Sequence, residues 1–269
     1  MSISIEVEQM DKRQVGIEFT ERELPIPGYT LYYGTENYID KDKLKEIDDK
    51  SRDIYTQSGF NQIGITREEW TSNFQMYNSS EILNVFIENK NKNVVSGIKT
   101  FFNKRNKRTL MEDFKSHNPL IEMHEIYEDI DYDEIDVSEI PCSSVGECSR
   151  LFSDTASIIK DTMISTREKQ LISFFLIYEG IQIGQSLGLE TIVGVIERDK
   201  ALRLLKRIER MDSKLGQSSI HTFERWVPIL NKIPQNAWPY FEKNKGVPFL
   251  LEVDKYVKSM QSKVNLLNI

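Results

Sequence analysis

A chain of 269 residues is long enough for one large domain with extensions and a sizeable core. Its formal net charge of −7 excludes a general nucleic-acid binder, which needs an excess of Lys and Arg on one face to neutralise phosphates. Charged residues at 29% and hydrophobic ones at 39% exclude general disorder.

No apolar run reaches the ~20 residues that span a bilayer. Residues Met1 to Val15 lack the basic and apolar regions of a signal peptide, so a cytoplasmic protein without a membrane span is expected. Residues 1–40 read as an N-terminal extension in which Pro25-Ile26-Pro27-Gly28 punctuates mixed polar segments and one edge strand is expected. From Asp40, Leu44, Ile47, Ser51, Ile54, Tyr55 and Ser58 recur at three- and four-residue steps, and Gly59 ends this amphipathic helix. A second helix or loop from Thr66 to Phe74 carries Trp70. Ile82 to Ile87 and Val94 to Phe102 flank the turn Asn89 to Asn93 and predict a β-hairpin, with Gly97 marking either a bulge or close approach, or plain packing.

Lys104-Arg105-Asn106-Lys107-Arg108 is a basic cluster, either a solvated loop or a dock for an acidic carrier protein or a nucleotide phosphate. An acidic run from Glu125 to Glu139 balances it. Cys142 and Cys148 fit neither a zinc site nor a redox pair, and His117, His124 and His221 have no metal-ligand spacing, so no metal site is expected.

The segment Gly146-Glu147-Cys148-Ser149-Arg150-Leu151-Phe152 predicts a strand. Alternation puts Glu147 and Ser149 on one face and Cys148 and Arg150 on the other. A carboxylate beside a hydroxyl can accept and relay a proton; the alternative is a solvated strand end with an ion pair. Ser165 and Glu168 form a capping box that opens a helix to about residue 187, apolar around much of its circumference and therefore buried. Glu190 to Glu197 reads as a central strand, 199–211 as a helix before Leu215-Gly216, and Thr222 to Leu230 as a strand. An amphipathic segment from Leu250 to Leu267 makes 233–269 a C-terminal helical extension. The order gives an α/β domain over 41–232, with a parallel crossover preceded by an antiparallel hairpin.

The hairpin residues Val95-Ser96-Gly97-Ile98-Lys99, the segment Leu110-Met111-Glu112-Asp113-Phe114 and the Glu147-x-Ser149-Arg150 motif resemble, in that order, the acyl-homoserine-lactone synthases and their relatives, the N-acyl amino acid synthases. The resemblance covers about residues 42–232. It implies a GNAT-like fold, a mixed sheet flanked by helices. It also implies an N-acyltransferase that moves an acyl group from an acyl-ACP or acyl-CoA thioester to a small-molecule amine. That thioester is then a co-substrate, no cofactor is tightly bound, and an acyl carrier protein is a partner. Glu147 and Ser149 become the catalytic candidates, because an ammonium must lose a proton before its nitrogen attacks a thioester. Arg150, Trp70, Lys99 and Arg52 become substrate-site candidates.

The sequence departs from that family in several places. Arg52 lies three residues before Tyr55, where the family spaces an Arg and an aromatic residue by four. Phe74-Gln75-Met76-Tyr77-Asn78 holds no Asp where the family keeps the acids that hold its amino donor. Lys99 keeps a positive charge without the bidentate geometry of Arg. The coenzyme A loop of small acetyltransferases is missing before the 165–187 helix, whose N-terminal Thr166, Arg167 and Lys169 are the candidates to receive a pantetheine phosphate. Phe174 and Tyr178 either line an acyl tunnel or are plain core. Two other classes stay open: a non-catalytic binding protein on this fold, and a small-group acetyltransferase.

Overall fold

The computed structural model describes residues 16–57, 66–71, 77–132, 135–197, 203, 218–223, 225–233 and 246–266, with side chains to 261. Alternating and doubly apolar runs build an eight-stranded sheet from β1 (Thr20–Glu23), β2 (Tyr29–Thr35), β3 (Ile82–Asn89), β4 (Val94–Phe102), β6 (Val145–Ser153), β7 (Thr191–Glu197), β8 (Ile220–Thr222) and β10 (Gly246–Glu252). Their order is β1-β2-β3-β4-β6-β7-β10-β8, and among the described strands only β6 and β7 run parallel. β5 (Tyr127–Glu128) and β9 (Val227–Pro228) form a separate short ladder.

Helices cover both faces. On one lie α1 (Lys41–Gln57), α2 (Arg67–Thr71), α3 (Leu110–Phe114) and α4 (Glu122–Ile126); on the other α5 (Thr155–Lys160), α6 (Thr166–Ser186) and α7 (Val253–Leu266). The capping box at Ser165 forms as expected, with the Glu168 N–H donating to the Ser165 hydroxyl at 3.2 Å and the Ser165 N–H to the Glu168 carboxylate at 2.6 Å. No helix among the described residues is long and apolar enough to cross a membrane.

Two marginal segments contribute interior strands. The region expected to add one edge strand adds two, and β2 lies between β1 and β3 because Tyr29 and Leu31 bury their side chains in the main core. The segment read as amphipathic helix from Leu250 is strand to Glu252 and helix only from Val253. Its β10 inserts between β7 and β8, where apolar residues are wanted on both faces. The strand expected at Thr222 to Leu230 is instead two short strands in different sheets. The helix expected at 199–211 lies outside the described residues except for Arg203, and Leu215-Gly216 lies outside them entirely.

Candidate active site

A bulge in β6 organises the site. β4 pairs with β6 from Phe102↔Gly146 to Lys99↔Ser149 and resumes at Gly97↔Phe152, so one residue of β4 faces Arg150 and Leu151 together. Arg150 takes the left-handed backbone region, with φ of 54°. The kink turns its side chain around. The guanidinium carbon sits 3.6 Å from the centroid of the Trp70 ring, and the guanidinium donates to the Trp70 carbonyl at 3.2 Å. Trp70 lies on α2 beside Tyr55 of α1, ring centroids 5.2 Å apart, and the Tyr55 hydroxyl donates to the Leu151 carbonyl at 3.0 Å. Strict alternation placed Arg150 opposite Glu147; the bulge brings it to the same face. Gly97 is a close approach as well as a neighbour of the bulge, since a Cβ there would stand 2.6 Å from the Phe152 ring.

The bent strand parts from its parallel neighbour. β6 pairs with β7 only from Val145↔Thr191 to Cys148↔Gly194, although β6 continues to Ser153 beside β4 and β7 to Glu197 beside β10. Beyond Cys148 and Gly194 the two strands enclose a notch with no ladder pairing across it. Gly194 sits at its closed end, where a Cβ would lie 2.7 Å from the Cys148 carbonyl oxygen and 3.1 Å from the Phe249 ring.

Glu147 lies one residue inside that closed end. Its carboxylate is buried, at 6% exposure, and accepts the backbone N–H groups of Glu122 and Met123 at 2.8 Å each. Burial first, and the charge of Glu122 second, push its pKa up to about 8 against the pull of those donors. The Tyr77 hydroxyl donates to the Leu120 carbonyl at 2.8 Å and also faces the Glu147 carboxylate as a donor at 3.4 Å, a contact that favours the charged form. The adjacent Cys148 thiol is pushed up to about 12 by burial and by Glu147, which leaves it neutral and unreactive.

Around this carboxyl the face is charged. Lys99, 2% exposed, pairs with Glu36 and with Asp48 of α1 at 2.8 Å each, and Arg67 of α2 reaches Asp48 at 3.2 Å. Ser149 is half-buried opposite Lys99 in the ladder. Glu147, Ser149, Arg150, Trp70 and Lys99 therefore share one face. Arg52 does not join them: it pairs with its own helix neighbours Asp49 at 3.1 Å and Asp53 at 3.3 Å. The α1 residue that enters is Asp48, missed from sequence although it falls on the buried stripe with Ile47 and Ser51. Tyr77 carried no usable signal.

The other candidates are dispersed. Phe174 is half-buried against the same apolar clusters as Cys148 and stacks on Tyr178, ring centroids 5.9 Å apart, while the Tyr178 hydroxyl is bound to Gln261 and Gln182. Thr166 and Arg167 are exposed at the start of α6, and Lys169 donates to the Ile159 carbonyl at 2.7 Å. The basic cluster lies on the closed side of the notch, because Lys104 reaches the Gly188 carbonyl just before β7 begins. Arg105, Lys107 and Arg108 there rim an open hollow of about 400 Å³. Among the described residues no three His, Cys, Asp or Glu side chains converge as a metal site.

No protein-family profile matches the chain, and no curated protein matches its sequence. Solved structures similar to it include the AHL synthase LasI, at 12% identity over 84% of this chain and 90% of that one, with a TM-score of 0.47. FeeM, an N-acyl amino acid synthase from uncultured soil microbes, is 10% identical over 89% of this chain and 93% of its own, with a TM-score of 0.45. A GNAT-family acetyltransferase from Staphylococcus aureus Mu50 is 11% identical over 80% of this chain and 96% of that one, with a TM-score of 0.40. The chain's own topology gives the expected α/β class, a mixed sheet flanked by helices, and these likenesses assign it no activity.

Proposed function

We propose that the chain is an N-acyltransferase that moves an acyl group from an acyl-CoA or acyl-carrier-protein thioester to a small-molecule amine. The observation that carries the reading is the placement of a buried, proton-holding carboxyl, Glu147, at the closed end of a notch between two parted parallel strands. The notch suits an extended pantetheine arm, whose amides match strand backbone groups left without a ladder partner. In the reaction the amine nitrogen bonds to the thioester carbonyl carbon and the carbon–sulfur bond breaks. The proton lost by nitrogen passes through Glu147, directly or by water, to the leaving thiolate. A backbone N–H at the notch carries the tetrahedral oxyanion. On this reading Ser149 sits beside the proton path, and Arg150, Trp70 and Lys99 shape the acceptor side. Phe174 and Tyr178 face the acyl side, and the exposed Arg167 and Thr166 are the candidates for the donor phosphate. The Glu-x-Ser-Arg match supports the same assignment.

Thiol release from acyl-CoA and acyl carrier protein of several chain lengths, with a panel of amines, tests the proposal. Glu147→Gln should lower turnover by about 10²-fold or more while the protein stays folded. The free-enzyme profile of kcat/KM should rise with pH through about 8, since the base is the deprotonated form. The stability linkage has the opposite sense. Between the usual 4.5 and about 8 the folded state holds a proton that the unfolded chain has released. This contribution is complete below 4.5 and is lost as pH rises through about 8, a slope that Glu147→Gln should remove. Folded protein that releases no thiol with any donor and amine would instead support a binding role, in which Glu147 only anchors α4.

A further inference from the structure

Four successive backbone N–H groups are captured by two buried carboxylates from different elements. Asp113 of α3 accepts from Leu120 at 3.0 and 3.2 Å and from Ile121 at 3.1 Å, and Glu147 of β6 accepts from Glu122 and Met123 at 2.8 Å each. Peptide units are planar and joined head to tail, so a shift at Leu120 and Ile121 is passed directly to the two donors on Glu147. Asp113, 0% exposed, is fixed from its far side. His124 Nδ1 lies 3.0 Å from its Oδ2, and His124 Nε2 lies 2.6 Å from the Tyr132 hydroxyl. Burial lowers the proton affinity of His124, so the neutral ring donates from Nδ1 and accepts the Tyr132 hydroxyl at Nε2. His124 belongs to the same short helix, α4, whose first turn the two carboxylates hold.

Resting on the reading of Glu147 as the base, we infer that Asp113 is its positioning residue, holding the 120–123 segment where the Glu122 and Met123 N–H groups meet the Glu147 carboxylate. Asp113 touches no reacting atom in this scheme. The groups that face Glu147 are Tyr77 from the segment before β3, Glu122 from α4, Tyr132 from the loop after β5 and Cys148 beside it on β6. Arg108 faces Asp113 itself at 3.4 Å. Replacing Asp113 leaves these side chains in place but removes the partner of Arg108 and the negative charge that acts on Tyr77 and Tyr132.

The direction of the effect follows from the donors. The two N–H groups favour the carboxylate, so loosening them raises the affinity of Glu147 for its proton. Asp113→Asn is isosteric and replaces one of the two oxygens that hold the Leu120 and Ile121 donors with an amide NH₂, which weakens the grip on this segment. In protein labelled with ¹³C at Glu carboxyls, with Glu147 assigned by Glu147→Gln, the Glu147 titration should move up by about one pH unit in Asp113→Asn. The rising limb of kcat/KM should move with it, while KM for the thioester stays within about twofold. An unmoved titration in folded Asp113→Asn protein, with only a lower melting temperature, would overturn the positioning role. If that variant does not fold, Tyr132→Phe, which removes only the hydroxyl on His124, is read in the same way, and an unmoved titration there overturns the role. The titration needs no turnover. A shifted titration in a protein without thioester activity would remove the base reading and keep the clamp, whereas turnover with an unmoved titration would remove the clamp alone.

Discussion

The two faces of the sheet are built on the same strands by different rules. Towards α6, Leu83, Val85, Ile87, Ile98 and Phe102 meet Ile172, Phe175, Leu176 and Ile183 in one apolar cluster, and the buried Glu179 is tied to Arg22 at 2.6 Å. Towards α1 to α4, the alternate residues Asn84, Lys99 and Glu147 turn inward and meet Glu36, Asp48 and the first turn of α4. Burying apolar area stabilises a fold steadily, at about 25 cal/mol per Å². A buried ion pair does little better than break even against an apolar pair of the same shape. The contrast teaches that apolar packing holds both faces, since α1 to α4 bury clusters of their own that include Ile47, Phe86, Met123 and Val193, while the charged group around Lys99 adds little to stability.

The largest test of that contrast is Lys99→Met. It leaves Asp48 and Glu36 without their shared ammonium in a buried site, and the cost should be about 3 to 5 kcal/mol in urea unfolding. Adding Asp48→Leu should restore most of this stability, because an apolar pair replaces the charged one, while thiol release stays lost. A double variant as unstable as the single one would mean that the charges hold the fold after all.

Next in size is Leu176→Ala on the apolar face, where Leu176 is 0% exposed. Deleting it should cost about 3 kcal/mol and lower the urea midpoint with m unchanged. Thiol release, measured where the variant remains folded, should stay within about twofold of the parent. Loss of turnover at full folding would show that the α6 side reaches the reaction centre and would sharpen the case for Phe174 as an acyl contact.

What the sequence made legible follows the same division. The hairpin, α6 with its capping box, β7 and the strand at Glu147 could all be read, because apolar periodicity and caps are local signals. β2 and β10 were read as margins, since their place inside the sheet depends on partners 48 to 61 residues away in the chain. On the charged face the motif residues Glu147, Ser149 and Arg150 were visible, but the side chosen by Arg150 was not. It depends on a bulge and a positive φ at a residue that gives no glycine-like warning. Asp113, His124 and Tyr132 were invisible as a unit, because three residues scattered over twenty positions meet only once α3 and α4 are folded together.

The smallest expected effect separates two neighbouring residues of α1. Arg52 and Asp48 are one helical turn apart, yet Asp48 enters the charged face while Arg52, among the described residues, pairs with Asp49 and Asp53 on its own helix. Such pairs are worth a few tenths of a kcal/mol because water screens them and the side chains lose entropy in forming them. Arg52→Ala should therefore change stability by less than about 0.5 kcal/mol and leave kcat/KM for every amine within about twofold. A tenfold rise in KM for one amine alone would show that Arg52 swings to meet its acceptor, and would extend the charged face outward past Asp48 to the surface of α1.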